Sequence, residues 1–269
     1  MILSKEFIGE ALGTFILVLF GCGAVATDVL FGIHSGVLQI ALIWGLGVTL
    51  AIYLTRHLSC AHLNPAVTLG MVISKRMSPR KLPEYLIAQF LGAFAASLVL
   101  YLLFAPSISA FESANSIIRG SSESTQTAKM FGEYYSLADS NAIVSMPLAI
   151  CAEAFGTFIL MLMIFALTEG CNVGRPHEAL APLFIGLTVS SIICLIAPLT
   201  QAGLNPARDF SPRMTAWIFG WNDAAFPDKQ GGFFFVYILG PMIGATLATL
   251  FFTSIIEPAM KKSSEKCDC

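Results

Sequence analysis

One eight-residue segment occurs twice in the chain and divides it into two related halves. Glu10-Ala-Leu-Gly-Thr-Phe-Ile-Leu17 recurs as Glu153-Ala-Phe-Gly-Thr-Phe-Ile-Leu160, with seven of eight positions identical, 143 residues later. A second pair keeps nearly the same spacing, because Asn64-Pro65-Ala66 and Asn205-Pro206-Ala207 lie 141 residues apart. Internal repeats of this kind are typical of membrane transport folds.

The composition places both halves in a membrane. Hydrophobic residues make up 56% of the chain and charged residues only 12%, and the mean hydropathy is +0.76. Soluble domains carry about 25% charged residues. Six stretches reach the roughly 20 apolar residues that a spanning helix needs. They lie at about 6–27, 36–56, 82–104, 143–168, 179–199 and 232–256. We therefore expect an all-α, multi-pass membrane protein. The first run lacks the cationic start and cleavage site of a signal peptide, and is interpreted as the first span.

Two apolar pieces remain, at about 65–73 and 206–218, and each begins directly after an Asn-Pro pair. Asparagine caps helix starts, and proline suits the first helical position because that N–H has no partner. Each piece is about half a span long, so we interpret both as re-entrant half-helices that line a cavity. Because each half crosses the membrane three times, the second half is inverted relative to the first. The two half-helices then enter from opposite faces and should meet near the midplane.

The distribution of loop charges predicts the orientation. Basic residues flank one set of span ends: Lys5, Lys75, Arg76, Arg80, Lys81, Arg175, His177, Lys261, Lys262 and Lys266. By the positive-inside rule these loops and both termini are cytoplasmic. The segments 105–141 and 219–231, the latter with Asp223 and Asp228, are then external. The expected organisation is one channel domain, 1–257, with repeats at about 6–104 and 142–256, and a cytoplasmic tail, 258–269.

Head-to-head half-helices predict a filter for small uncharged solutes. Their N-termini carry partial positive charge, which repels cations and protons. The amides of Asn64 and Asn205 would donate to hydroxyl groups. The sequence contains no nucleophile–base set, nucleotide loop or metal-ligand spacing, so neither an enzyme nor a cofactor is expected, and a net charge of -2 gives no reason to expect nucleic-acid binding. A coupled secondary transporter is the alternative of another class, although it needs a titratable or cation-binding midplane site.

The paired Asn-Pro-Ala boxes and Glu-x-x-Gly-Thr segments resemble the aquaporin family. Asp209 after Arg208, Trp44-Gly-Leu-Gly47, Ile118-Arg-Gly-Ser-Ser-Glu-Ser124 and Ala181-Pro-Leu-Phe-Ile-Gly-Leu187 are similar to the aquaglyceroporin branch, in particular to bacterial glycerol uptake facilitators. The resemblance covers about 6–256. It implies a right-handed bundle of six spans and two half-helices, a homotetramer in the lipid bilayer with one pore per subunit, and passive conduction of glycerol with some water. A bacterial inner membrane is the expected location.

The resemblance also assigns roles to residues. Arg208 would donate to solute hydroxyls at the external constriction, and Trp44 would form an apolar wall. A ladder of backbone carbonyls would come from Cys60, Ala61 and His62 and from Gln201, Ala202 and Gly203. Three carboxylates, Glu10, Glu153 and Asp209, would brace the loops. The His62 side chain is expected to brace its loop rather than carry protons.

Two positions depart from the pattern of glycerol facilitators. Ala202 replaces an aromatic residue and Ile193 replaces a glycine at the constriction. Losing the aromatic opens space while Ile193 fills some of it, so a channel for mainly water, urea or a metalloid acid stays an alternative. Arg56 and His57 stand where facilitators have small residues, and are expected at the cytoplasmic mouth.

Overall fold

The computed structural model describes residues 3–135, 143–227 and 231–264, and these ranges contain helices and no strand. In chain order the α-helices are α1 (Lys5–Phe31), α2 (Val37–Ser59), α3 (Pro65–Ile73), α4 (Leu82–Ala114), α5 (Thr125–Ala128), α6 (Met146–Thr168), α7 (Ala181–Thr200), α8 (Pro206–Ala216), α9 (Gly240–Phe251) and α10 (Glu257–Ser264). The last span, Phe234–Lys262, also contains π-helical turns at Phe234–Leu239 and Phe252–Ile256.

Six of the described helical segments are long and apolar enough to cross a membrane, as predicted. The predicted half-helices correspond to α3 and α8. The third span differs from its prediction, since α4 ends at Ala114 and not near 104. Its last ten residues contain Pro106 and several polar residues, which end the hydropathic run but not the helix. Asp228, Lys266 and the tail thiols Cys267 and Cys269 lie outside the described residues, as does 136–141 of the predicted external segment.

Each repeat packs its first helix against its last through a glycine. A Cβ atom added at Gly92 of α4 would lie 2.1 Å from the Ala11 carbonyl oxygen of α1. A Cβ atom added at Gly244 of α9 would lie 2.0 Å from the Ala154 carbonyl oxygen of α6. Small residues let membrane helices approach this closely, which suits a bundle held together by dispersion contacts rather than by the hydrophobic effect. The first and last spans therefore pack in the same way in both repeats.

The half-helices are exchanged between the repeats. Helix α3 packs against α9 of the second repeat, and α8 packs against α4 of the first. The outer surface of the bundle presents large apolar side chains, among them Leu102, Leu103 and Leu195. A soluble protein would bury such residues, whereas lipid tails solvate them.

Candidate functional site

The two asparagines of the repeated boxes cap the half-helices and also join them. Asn64 Oδ1 accepts from the Ala66 N–H at 2.8 Å, and Asn205 Oδ1 accepts from the Ala207 N–H at 3.0 Å. Each amide nitrogen crosses to the other loop: Asn64 Nδ2 donates to Leu204 O at 2.9 Å, and Asn205 Nδ2 donates to Leu63 O at 2.8 Å. The N-termini of α3 and α8 therefore face each other, with their partial positive charges at one place.

A buried carboxylate holds each loop that leads into a half-helix. Glu10 accepts from the N–H groups of His62 at 2.9 Å and Leu63 at 2.7 Å. Glu153 accepts from those of Gly203 at 2.8 Å and Leu204 at 2.7 Å. The two carboxylates stand at equivalent positions of the repeat, and each satisfies backbone donors that would otherwise be buried without a partner.

The loops have an unusual backbone that occurs in both repeats. Six non-glycine residues in them adopt positive φ angles: Cys60, Ala61, Leu63, Gln201, Ala202 and Leu204. The left-handed region is unfavourable for L-residues and persists only where surrounding contacts enforce it. The carboxylates on one side and the asparagine amides on the other provide those contacts. The loops are therefore held in one conformation before any solute arrives.

A cavity of about 520 Å³ passes the junction of the half-helices and extends to a cluster of charged residues. Cys60, Ala61, His62, Ala202 and Gly203 line it, together with Asn64 and Asn205, whereas Gln201 is not in its lining. The Gln201 side chain instead accepts from the Tyr134 N–H at 2.7 Å. Apolar side chains also line the cavity, among them Leu17, Trp44, Val48, Ile52, Leu160, Ile164, Val189 and Ile193. Polar groups and apolar side chains thus line the same passage.

At one end of this passage Arg208 lies against Trp44. The guanidinium carbon is 4.2 Å from the centre of the indole ring, and Nη2 is 3.5 Å from Ala202 O. Only 3% of Arg208 is exposed. Ile193 and Ala202 line the same cavity, so the four residues expected at the constriction line one passage. A planar donor and an aromatic ring thus lie side by side next to aliphatic side chains, and together they can contact both the hydroxyls and the carbons of a small solute.

The comparison with known proteins then decides the family. The model of the family described as "Major intrinsic protein" matches residues 1–252. The chain belongs to the major intrinsic protein family. This confirms the resemblance to aquaporins, and membership makes the protein a multi-pass membrane channel rather than an enzyme.

Relatives of this major intrinsic protein span most of its length. The propanediol uptake facilitator PduF of Citrobacter freundii is 39% identical over 267 residues, which cover 99% of this chain and 97% of that protein. The glycerol uptake facilitator protein of Escherichia coli K12 is 40% identical over 255 residues, which cover 94% and 89%. The X-ray structure of the aquaglyceroporin from Plasmodium falciparum superimposes with a TM-score of 0.82 at 29% identity, covering 96% of this chain and 98% of that one.

Sequence reasoning missed Glu133, whose carboxylate forms an ion pair with Arg208. It lies in the segment after α5, where the sequence has no periodicity that places a side chain. Burial raises the pKa of the Glu133 carboxyl above its ordinary value, although Arg208 opposes the shift. The charge at the constriction is therefore shared by a pair and is not an isolated cation.

Asp209 braces a different part of the channel from Glu10 and Glu153. Its Oδ1 accepts from the Glu133 N–H at 2.8 Å, and its Oδ2 accepts from Arg213 Nε at 2.8 Å. Arg213 is fully buried and also donates to Ala225 O at 2.9 Å and to the carbonyl of Glu133. Sequence reasoning missed Arg213, although its i,i+4 spacing from Asp209 was a usable signal. The pair fastens the segment around Glu133 to α8.

Charged residues cluster at the other end of the passage. Arg56 lines the cavity and donates to Glu178 O at 3.0 Å, while His57 is exposed. Arg76 pairs with Glu169 and Glu257 and lies 4.4 Å above the Phe165 ring. These contacts tie the loops at that end together.

The His62 ring packs against Tyr85, with ring centres 5.0 Å apart, and its Nδ1 has no hydrogen-bond partner among the described residues. This packing fits the expected bracing role of the side chain.

Proposed function

We propose that this protein is a passive channel for glycerol and related small neutral solutes, with some water flux, and that it excludes ions and protons. One observation carries the proposal: a single passage is lined both by Arg208 and the two box asparagines and by many apolar side chains, among them Trp44 and Ile193. Hydroxyls accept from the donors while the carbon chain slides along Trp44 and Ile193. The glycerol and propanediol facilitators among its relatives support this substrate class.

Ion exclusion follows from the junction of the half-helices. Each N-terminus carries roughly half an elementary positive charge. Asn64 and Asn205 are oriented by their caps and cross-bonds, so their amides act as donors toward the passage and do not reorient to relay a proton. A cation there loses its hydration shell and meets no compensating carboxylate, since Glu10 and Glu153 are occupied by loop N–H groups. Because loop N–H groups already bind both carboxylates, neither is available to carry a proton or bind a cation, which argues against a coupled transporter.

We propose the roles of the filter and loop residues, the assembly and the membrane orientation on the same grounds. Trp44, Ile193, Ala202 and Arg208 form the selectivity filter, and the carbonyls of the two positive-φ loops form a ladder of acceptors. The chain is one channel domain, 1–257, which assembles as a homotetramer in the lipid bilayer with one passage per subunit. Both termini face the cytoplasm, in a bacterial inner membrane. The cluster of basic residues at one end of the passage supports this orientation.

Stopped-flow light scattering on proteoliposomes tests the proposal. Vesicles are challenged with an impermeant osmolyte or with glycerol. Rapid reswelling in glycerol without any ion gradient supports a polyol channel, and flux that saturates and requires an ion gradient would indicate a carrier. Rapid shrinkage without glycerol entry would show that Ile193 closes the filter to polyols, and that the protein is a water channel.

A further inference from the structure

The guanidinium at the constriction is already partly occupied. An arginine has five N–H donors, and in this channel Nη2 of Arg208 faces both the Glu133 carboxylate and, at 3.5 Å, Ala202 O. The face of the guanidinium lies on Trp44. Arg208 therefore offers a solute fewer free donors, and less net charge, than an unpaired arginine would.

Glu133 is held in place for this contact from three directions. Its N–H donates to Asp209 Oδ1 at 2.8 Å, and its carbonyl accepts from Arg213 Nη2. The next residue, Tyr134, donates its N–H to the Gln201 side chain at 2.7 Å. Glu133 is 5% exposed and is not in the lining of the passage, although its partner Arg208 is. It therefore acts on a solute through Arg208 and not by direct contact.

The other three residues of the filter, Trp44, Ile193 and Ala202, offer few polar groups. Ile193 and Ala202 have aliphatic side chains, and the indole N–H of Trp44 is the one side-chain donor among the three. A third hydroxyl on a solute loses its water there and finds few donors to replace it, which costs about 1–3 kcal/mol for a buried polar group without a partner.

We propose that Glu133 is a positioning residue that directs the filter toward solutes with fewer hydroxyls, so that three-carbon diols pass more readily than the triol. The Glu133 carboxylate binds Arg208 from outside the lining of the passage. It thereby occupies one guanidinium donor and neutralises the positive charge of Arg208. This inference rests on the proposed function, since it concerns how that filter ranks its solutes.

The test compares the permeabilities of 1,2-propanediol, glycerol and water in the same proteoliposomes. Glu133→Gln removes the charge but keeps the shape, so the charge of Arg208 is no longer neutralised and its bond to residue 133 is weaker, which leaves the guanidinium more available to a solute. We expect the propanediol-to-glycerol permeability ratio to fall about three- to tenfold, the range of one net hydrogen bond. Glu133→Asp keeps the carboxylate but shortens its reach toward Arg208, so it should lower the ratio by less than Glu133→Gln does.

The matched control is Glu112→Gln. Glu112 is also a buried carboxylate paired with an arginine, Arg119, at 2.8 Å, but it does not contact the filter. It should leave the ratio unchanged even if total flux falls. An unchanged ratio in Glu133→Gln, or equal ratio changes in Glu133→Gln and Glu112→Gln, overturns the inference.

If Glu133→Gln does not assemble, Glu133→Asp carries the test, because a shortened carboxylate that leaves the ratio at the wild-type value contradicts a role set by contact with Arg208. The two proposals fail separately. Wild-type vesicles that admit neither glycerol nor propanediol refute the polyol channel, whereas wild-type flux of both with a ratio insensitive to Glu133 refutes only the inference.

Discussion

Replacing Glu153 by glutamine tests whether a buried carboxylate holds the second loop of the pore. The wild-type side chain accepts from two backbone donors, Gly203 N at 2.8 Å and Leu204 N at 2.7 Å. A glutamine has the same shape but only one oxygen, so its NH₂ group must face one of these N–H groups. One buried donor then has no acceptor, which costs about 1–3 kcal/mol, and the surviving bond loses its charge assistance, about 1 kcal/mol more.

The lost hydrogen bond should also disturb the pore, because Leu204 supplies the carbonyl that accepts from Asn64 Nδ2 at 2.9 Å. A peptide that loses its fixed orientation at Leu204 loosens the first box as well as the second. We therefore expect Glu153→Gln to lower the free energy of unfolding by about 2–4 kcal/mol and to reduce the flux of every solute. Glu10→Gln, the equivalent change in the first repeat, should have a similar effect.

The assay is thermal unfolding in detergent together with stopped-flow permeability. Glu257→Gln serves as the control, because that carboxylate pairs with Arg76 and Lys261 in a partly exposed cluster. Such pairs contribute about 0–1 kcal/mol. A Glu153→Gln protein as stable as the control, with wild-type flux, would refute the assignment of bracing to the carboxylate.

Two further predictions concern the filter. Ala202→Phe should narrow the constriction and lower the flux of bulkier polyols more than that of glycerol; unchanged passage of larger polyols in vesicle swelling would contradict the place of Ala202 in the pore. Acidification should act like removal of the Glu133 charge: burial raises the pKa of this carboxyl, so it takes up a proton at a higher pH than an exposed glutamate does. The propanediol-to-glycerol ratio should thus fall as the pH is lowered, with Arg208, Asp209 and Arg213 as the charged groups that face Glu133. A ratio that is flat with pH in the wild type, or equally pH-dependent in Glu133→Gln, would contradict this assignment.

The sequence was sufficient to predict the spans and the half-helices because both depend on local patterns. Apolar runs long enough to span the membrane, and an Asn-Pro pair at the start of a helix, can be recognised without any tertiary information. The duplication then predicted that Asn64 and Asn205, and likewise Glu10 and Glu153, have equivalent contacts in the two repeats.

The residues that were missed depend on contacts distant in sequence. Glu133 reaches Arg208 across 75 positions, from a segment without helical or strand periodicity. The end of α4 was placed about ten residues early because hydropathy follows the lipid environment, whereas the helix follows backbone hydrogen bonding and continues through Pro106. The place of the Gln201 backbone carbonyl in the ladder stays a prediction from the resemblance, and the contact of its side chain with the Tyr134 N–H could not be predicted from the sequence.

The crossed bonds between the two boxes bear on how the channel is made. Asn64 needs a carbonyl from the second half and Asn205 needs one from the first, while α3 and α8 each pack on the opposite repeat. Until the second half has been inserted, the first half has its loop held by Glu10 but lacks the partners of the Asn64 amide and of one side of α3. Because residues of both halves line the passage, we expect it to form only when the two halves dock.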